Sequence, residues 1–593
     1  MAFPPENFTK YDKLRNKYTA GRGVCQCAGV VISRQFWQFM QKNRGMSMSM
    51  IDRIREYQQS HGTAYTLKRL GQKAAQQLLG TYDRRWMRER ATEEELKAQR
   101  ENQPAAGLIS VVIPVYNTDP KMLGDLLDSL ESQSYLNFEA VLYDGASTRE
   151  ETAAVLKARG EKEPRFRIVR GEENRGISGN TNEALKLARG EYIVLCDHDD
   201  LLAPDALWRT AECIVEKHPD MIYSDEDRIT QNGRRHMDPH YKPDYCPDNL
   251  VSDNYICHMT VIRKALLEET GGLRSGFDGS QDHDLFLRVA EKTDKIEHLP
   301  YILYSWREVF SSASHRNLYT CLLNGCRAAV EHEAALGRKA DAVPVNKEIR
   351  LWYEIPENAS VEAIVHGDTE EECQECLGEL QFRTDWPKLT GSIIVAGENE
   401  RIALINEAAR TSTADYLLIL DAGVTEMNRY FIREMLMYAQ REDVAGVTGV
   451  LTDRKKHITH GGFALGMEHT VQCINEGLFV TAGGWHDMMN KVHNVSAVSL
   501  CCLMVKRENW VDLDEGYRGG LVTADLGLRQ KQGGKWFVFT PHAQAIREAC
   551  SLLLSGEERD AEDVARYEER WGIDVYDPCY SMRFGKKKAN YQY

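Results

Sequence analysis

Residues 181–200 read TNEALKLARGEYIVLCDHDD, and the fold follows from how that stretch divides. Asn182–Ala188 has helical spacing, Arg189-Gly190 breaks it, Tyr192–Cys196 is a short apolar run, and Asp197-His198-Asp199-Asp200 follows at once. A short continuous apolar run bounded by turn residues is the pattern of a strand buried on both faces. The same alternation extends upstream. Leu108–Val115 (LISVVIPV), Glu139–Tyr143 and Phe166–Val169 read as strands, with helices over Leu123–Gln133 and Glu150–Arg159 between them. Strands alternating with helices predict a doubly wound, Rossmann-like α/β sheet, in which ligands sit beyond the carboxyl ends of the strands. Three strand tips deliver polar groups there: Tyr116-Asn117, Asp144 and Asp197-His198-Asp199.

The stretch also occurs twice. INEAARTSTADYLLILDAGV begins at Ile405, so that Asn182 matches Asn406, Tyr192 matches Tyr416 and Asp197 matches Asp421, each 224 positions on. Asp284-Leu-Phe-Leu-Arg288 matches Asp525-Leu-Gly-Leu-Arg529, and VVIPVYNTDPKMLGDLLDSL from Val111 aligns loosely with VEAIVHGDTEEECQECLGEL from Val361. Landmarks in the same order imply two copies of one fold, expected at 104–345 and 346–575. Residues 1–103 read as an N-terminal helical extension, closed by Gln103-Pro104-Ala105-Ala106-Gly107, and 576–593 as a solvated tail with a Lys586-Lys587-Lys588 run.

Composition sets bounds. A chain of 593 residues with 42% hydrophobic and 27% charged residues is ordinary globular material, against long disorder. A net charge of −15 argues against a general nucleic-acid binder. No run of about 18 apolar residues suggests a membrane span, and MAFPPENFTKYDKLRNKYTAG lacks the apolar segment of a signal peptide. The expectation is a cytoplasmic protein whose fifteen cysteines are reduced thiols. Cys373-x-x-Cys376 and Cys25-x-Cys27 each lack a second half of a zinc site.

Chemistry concentrates in the first copy. Carboxylates two apart beyond a buried strand, Asp197 and Asp199, can share a hard cation such as Mn²⁺ or Mg²⁺. Asp282, in Gly279-Ser280-Gln281-Asp282-His283-Asp284, is the candidate general base, because deprotonating a hydroxyl needs a carboxylate within hydrogen-bond reach. Helix capping is the competing account of Asp282, and Asp284, kept in both copies, reads as structural. The second copy has Asp421-Ala422-Gly423 opposite Asp197-His198-Asp199, Thr523 opposite Asp282, and Ile364 and His366 opposite Pro114 and Tyr116. Threonine cannot take a proton at neutral pH, so this copy is expected to keep the fold and lack the chemistry. A rearranged second site drawing on His457, His460 or Asp525 is the alternative.

Taken together, Val112-Ile-Pro-Val-Tyr116-Asn117, Asp144-Gly145, Asn174-Arg-Gly-Ile177, Asn182, Asp197-x-Asp199 and Gln281-Asp282-x-Asp284 resemble glycosyltransferase family two. Tyr223-Ser-Asp-Glu-Asp227, Lys242-Pro-Asp244, Asn254-Tyr-Ile-Cys-His258, Tyr304-Ser-Trp-Arg307, His460-Gly461-Gly462 and Trp571-Gly572 narrow the resemblance to tandem-domain bacterial enzymes of rhamnan, O-antigen and capsule assembly. The resemblance implies two tandem GT-A-like domains and an inverting, metal-dependent transfer from a nucleotide-sugar donor (UDP- or dTDP-linked) to a glycan or lipid-linked glycan. It implies work at the inner face of the cell membrane without a span, and leaves room for a homo-oligomer. Residue by residue, it implies that Pro114, Tyr116 and Asn117 shape the nucleotide pocket and that Asp144 holds base or ribose. Arg175 and Asn182 would line the donor side, with Asp197 and Asp199 on the metal and Asp282 as base. Trp306 would stack on a sugar, and Arg307 would lie near phosphate. The family's histidine before Trp-Arg is Ser305 here, and Tyr143 replaces one carboxylate of an acidic pair, so a third metal ligand among His258, His283 and His315 stays open. Two other functions remain alternatives: a two-site polymerase, and a glycan-binding scaffold without turnover.

Overall fold

The computed structural model describes residues 90–309, 318–345, 348–384, 386–467, 470–548 and 561–591. Most of the expected N-terminal extension, with Cys25 and Cys27, and His315 lie outside the described residues. The described end of that extension is a Glu93–Glu101 helix whose capping box is Thr92 with Glu95; Leu96 and Gln99 pack inward.

The first sheet has nine strands: β1 (Ile109–Val115), β2 (Phe138–Asp144), β3 (Phe166–Arg170), β4 (Tyr192–Leu195), β5 (Leu201–Leu202), β6 (Met221–Ile229), β7 (His236–His240), β8 (Thr260–Arg263) and β9 (Ile296–Arg307). Their order is β3-β2-β1-β4-β8-β6-β9-β5, with β7 on β6. β1 is buried along its whole length and divides the core: Val111 and Ile113 pack in one apolar cluster and Val112 in another. Pro114 is tolerated because the β1–β4 ladder ends at Val112–Leu195, before a missing N–H would matter.

A hairpin of β10 (Ala340–Val345) and β11 (Glu348–Tyr353) straddles the expected boundary at 345. The second sheet follows: β12 (Val361–Gly367), β13 (Leu389–Val395), β14 (Tyr416–Asp421), β15 (Val444–Thr452), β16 (Ile458–His460), then the separate ribbon β17 (Phe463–Met467) with β18 (Thr470–Cys473), then β19 (His493–Val495), β20 (Cys502–Lys506) and β21 (Trp536–Ile546). In its order, β13-β12-β14-β20-β15-β21-β19, the first six strands repeat the β2-β1-β4-β8-β6-β9 series of the first sheet, parallel and antiparallel pairings included. The chain is thus mixed α/β with two sheets of matching topology in tandem. One apolar cluster runs from Val112 in the first sheet through Ile349 to Leu503 in the second, so the two domains share a core.

Two expectations are corrected. The tail is not a solvated end: Tyr580, Phe584 and Tyr591 are buried, and Asp577 accepts from Leu465 N–H at 2.6 Å and Cys579 N–H at 2.7 Å. Lys586, Lys587 and Lys588 do stay exposed. Cys501, expected reduced, is disulfide-bonded. Cys373 and Cys376 are free thiols buried in the core, their S–H groups facing the carbonyls of Ile394 and Val424. No helix among the described residues is long and apolar enough to cross a membrane.

Candidate functional site

The site is built where β1, β2 and β4 end side by side. Beyond β4 the chain turns through His198-Asp199, which leaves Asp197 and Asp200 flanking the turn. Beside β4 runs antiparallel β8, in the register Leu195–Thr260. Continuing that register past the strand end sets Asp197 opposite His258, whose Nε2 lies 3.7 Å from Asp197 Oδ2. Asp197, Asp200 and His258 each offer a ligand atom within 4.8 Å of the others, the one such group among the described residues. Two carboxylate oxygens and an imidazole nitrogen suit Mn²⁺ and leave positions for phosphate oxygens. The geometry ranks the open histidines: His258 joins the cluster, whereas buried His283 donates from Nε2 to Leu250 O at 2.6 Å.

The cluster crowds acidic groups together at the strand end. Burial, reinforced by the neighbouring carboxylates, pushes the carboxyls of Asp199 and Asp200 upward, although His198 and Arg307 act against the rise at Asp199. A bound cation would reverse that pressure, which is the fit test for a metal at this place. Tyr304 O–H donates to Asp200 Oδ2 at 2.6 Å, and its ring stacks on His258 at 4.7 Å. Arg307 is buried rather than near a phosphate opening. Its backbone N–H donates to Asp200 Oδ1 at 2.7 Å, and its guanidinium holds Asp199 O, Gln231 O and Asp125. It therefore fixes the acidic turn. Trp306 is half-buried under Arg228, 5.0 Å from its ring.

Other predicted residues divide between open and occupied. Tyr116 is 40% exposed just past β1. Asn117, at φ +50°, lends its Oδ1 to the N–H groups of Thr148 and Arg149 at 2.8 and 2.9 Å, which starts the Glu150–Gly160 helix. Buried Asp144 accepts from Ser147 N–H at 2.9 Å and pairs with Arg170. Arg175 precedes the Gly176–Leu187 helix and pairs with Glu183 at 2.7 Å. Asn182 binds both backbone groups of Leu273, at 2.7 and 3.0 Å, and Asn406 repeats this on Leu513 at 2.9 and 2.8 Å. That repeated brace accounts for asparagine in both copies without a ligand.

Asp282 stands in the first turn of the Gln281–Ala290 helix, and Asn254 Nδ2 donates to its Oδ2 at 2.8 Å. Asn254 and His258 belong to one short segment, so the candidate base and the acidic cluster are tied through five residues of chain. Asp284 is structural: Arg274 and Arg288 clamp it inside. The Tyr223–Asp227 and Lys242–Asp244 motifs serve the same segment. Fully buried Lys242 donates to the carbonyls of Ser224, Ile256 and His258. Burial works against the Glu226 carboxylate, but Lys242, His240 and His258 outweigh it and hold it at about 2.

The second copy fills the same place with protein. Arg547 reaches Asp421 at 3.0 Å, where the first copy gathers two carboxylates and a histidine. Gly423 makes room, since a Cβ there would collide with the guanidinium. Thr523 donates to Gly520 O at 2.9 Å, and buried His366 to Leu500 O at 3.0 Å.

Fold and cluster together define an acidic site at the strand ends of an α/β sheet. Residues 110–271 match the family described as Glycosyl transferase family 2. An uncharacterized protein of Sinorhizobium fredii is 31% identical over 84% of this chain and 59% of its own length. An O-antigen biosynthesis protein of Myxococcus xanthus is 29% identical over 74% of this chain and 37% of its own. A chondroitin synthase of Escherichia coli is 27% identical over 33% of this chain and 28% of its own. The chain therefore spans less than two thirds of these relatives. The solved structure of S. aureus TarS 1–349 with UDP-GlcNAc is 22% identical, covering 38% of this chain and 66% of that one, with a TM-score of 0.32.

Proposed function

We propose that the first domain is an inverting, metal-dependent glycosyltransferase that moves a sugar from a UDP- or dTDP-sugar to a hydroxyl of a growing cell-surface glycan. The observation that carries this reading is the meeting of Asp197, Asp200 and His258 within 4.8 Å at the carboxyl edge of the sheet, with Asp282 tied in by Asn254. The names of the Myxococcus and Escherichia relatives support a polysaccharide acceptor.

In this reading Asp197, Asp200 and His258 hold Mn²⁺ or Mg²⁺, with Asp199 beside them. The cation supplies electrostatic stabilisation of the leaving diphosphate, worth several kcal/mol in such sites. Tyr304 and Arg307 keep the acidic turn in shape. Tyr116 and Asp144 flank the nucleotide, and Arg175 lies toward the donor. Asp282 accepts the proton of the acceptor hydroxyl as that oxygen attacks the anomeric carbon and the glycosyl–phosphate bond breaks, so configuration inverts in one displacement. Asn254 leaves the second oxygen of Asp282 for that proton.

The second domain carries no transfer in this reading, because Arg547 already neutralises Asp421 and no carboxylate stands at 523. The test is turnover of UDP- and dTDP-sugars with Mn²⁺ and a glycan acceptor. Transfer abolished by Asp282→Asn is the expected result; the absence of transfer or hydrolysis across the panel would favour a binding scaffold.

A further inference from the structure

The second domain grips the first domain at residues 248–253 through several buried polar side chains. Lys491 Nζ donates to Asp253 Oδ2 at 2.6 Å. Asn494 donates from Nδ2 to Asp248 Oδ2 at 2.8 Å and accepts from Asp248 N–H at 2.9 Å, while its own N–H donates to Asn249 Oδ1 at 2.8 Å. Arg441 forks onto the same Asp248 carboxylate, and all three of Arg441, Asp248 and Asn494 are buried. On the first-domain side these anchors fall between 248 and 253.

That stretch is the one on which the candidate base rests. Leu250 O receives His283, Asn254 donates to Asp282, and these two are consecutive residues of the base-bearing helix turn. A second path reaches the metal side. The ring of His486, in the second domain, stacks on His240 at 3.9 Å; His240 faces Glu226 at 3.4 Å, and Glu226 accepts from His258 N–H at 3.2 Å. Nothing about folding the second sheet requires its β19 edge to end in side chains that bind the first domain. A lysine buried to pair with a carboxylate next to the residue holding Asp282 is a positioning arrangement.

We infer that the second domain is a positioning element for the first domain's reaction, and that Lys491, through Asp253 and Asn254, sets the orientation of Asp282. Lys491 touches no reacting atom and acts through the segment it holds. The inference rests on Asp282 as base.

The test uses the full chain and compares Lys491→Met, Lys491→Arg, Asp253→Asn and Asp282→Asn. Lys491→Met is expected to lower kcat for transfer about 10- to 100-fold, the usual scale for a displaced catalytic group, with donor KM and Mn²⁺–UDP binding unchanged. Lys491→Arg should restore much of the loss, because a cation still pairs with Asp253. Asp253→Asn, on the half-buried partner, should give the same kcat-only loss if Lys491→Met fails to fold. Full kcat in Asp253→Asn and a folded Lys491→Met, in a chain that Asp282→Asn silences, overturns the inference and leaves the base intact. Full kcat in Asp282→Asn removes the base assignment instead, and the inference with it. Equal losses in kcat and donor binding would show a merely structural role and also overturn it.

Discussion

His258 Nε2 stands 3.7 Å from Asp197 Oδ2 because Leu195 and Thr260 are paired across two antiparallel strands. Each residue is two steps past that pair, one on each strand, so the sheet itself brings the acid and the imidazole together. If they share a cation, His258→Asn should weaken Mn²⁺-dependent donor binding as strongly as Asp197→Asn does. Calorimetric titration with Mn²⁺–UDP and Mn²⁺–dTDP would measure this, and donor affinity independent of His258 would remove it as a ligand.

Tyr304 donates to Asp200 and stacks on His258, so it should tune the site from behind these two without touching the cation. Tyr304→Phe is expected to lower metal affinity about 10- to 100-fold, the range for partners behind a metal ligand. The apparent Mn²⁺ constant in the transfer assay checks this.

Asp282→Asn keeps the shape and removes the basicity. Transfer should fall about 10²- to 10⁴-fold while donor binding holds. Single-turnover rates against acceptor distinguish this from a binding defect, which would appear as a raised donor KM.

The second domain gives a prediction about acid. Burial pushes His460 down to about 3 and His493 down to about 4. Both are neutral when folded and gain a proton on unfolding once the pH drops below about 6.5. The unfolded chain then holds more protons, so stability is full above that pH and is lost as pH falls toward the folded values, by up to about 1.4 kcal/mol per pH unit for each histidine. Denaturant unfolding between pH 6.5 and 4.5 should show this slope. His460→Gln should flatten it, and an unchanged slope would contradict the buried neutral state.

The strands that end at the site were legible because β1, β2 and β4 are continuous apolar runs, and only a doubly covered sheet buries such runs on both faces. The duplication was legible for the same reason, since its landmarks mark strand ends. Asp200 was not singled out as a ligand because spacing of two suits an extended chain. Here the chain turns at His198-Asp199, and positions three apart converge. His258 could not be ranked because its place depends on the β4–β8 register, a pairing across more than sixty residues that local pattern does not encode. Arg307 was expected near phosphate, but three separate acceptors hold its guanidinium inside the fold. Lys491 and Asn494 carried no signal at all, for their partners sit on the other domain. The helix carrying Asn182 begins at Gly176, earlier than its apolar spacing suggested, because Gly-Ile-Ser-Gly-Asn-Thr is helical through tertiary packing rather than propensity.

In the proposed reading one half of the chain binds a cation, and the other half holds Arg547 in its place. Equilibrium titration of the full chain with Mn²⁺–UDP or Mn²⁺–dTDP measures that directly. One nucleotide-dependent Mn²⁺ per chain is expected, lost in Asp197→Ala and retained in Asp421→Ala. Two sites per chain, or one that survives Asp197→Ala and vanishes with Asp421→Ala, would contradict it.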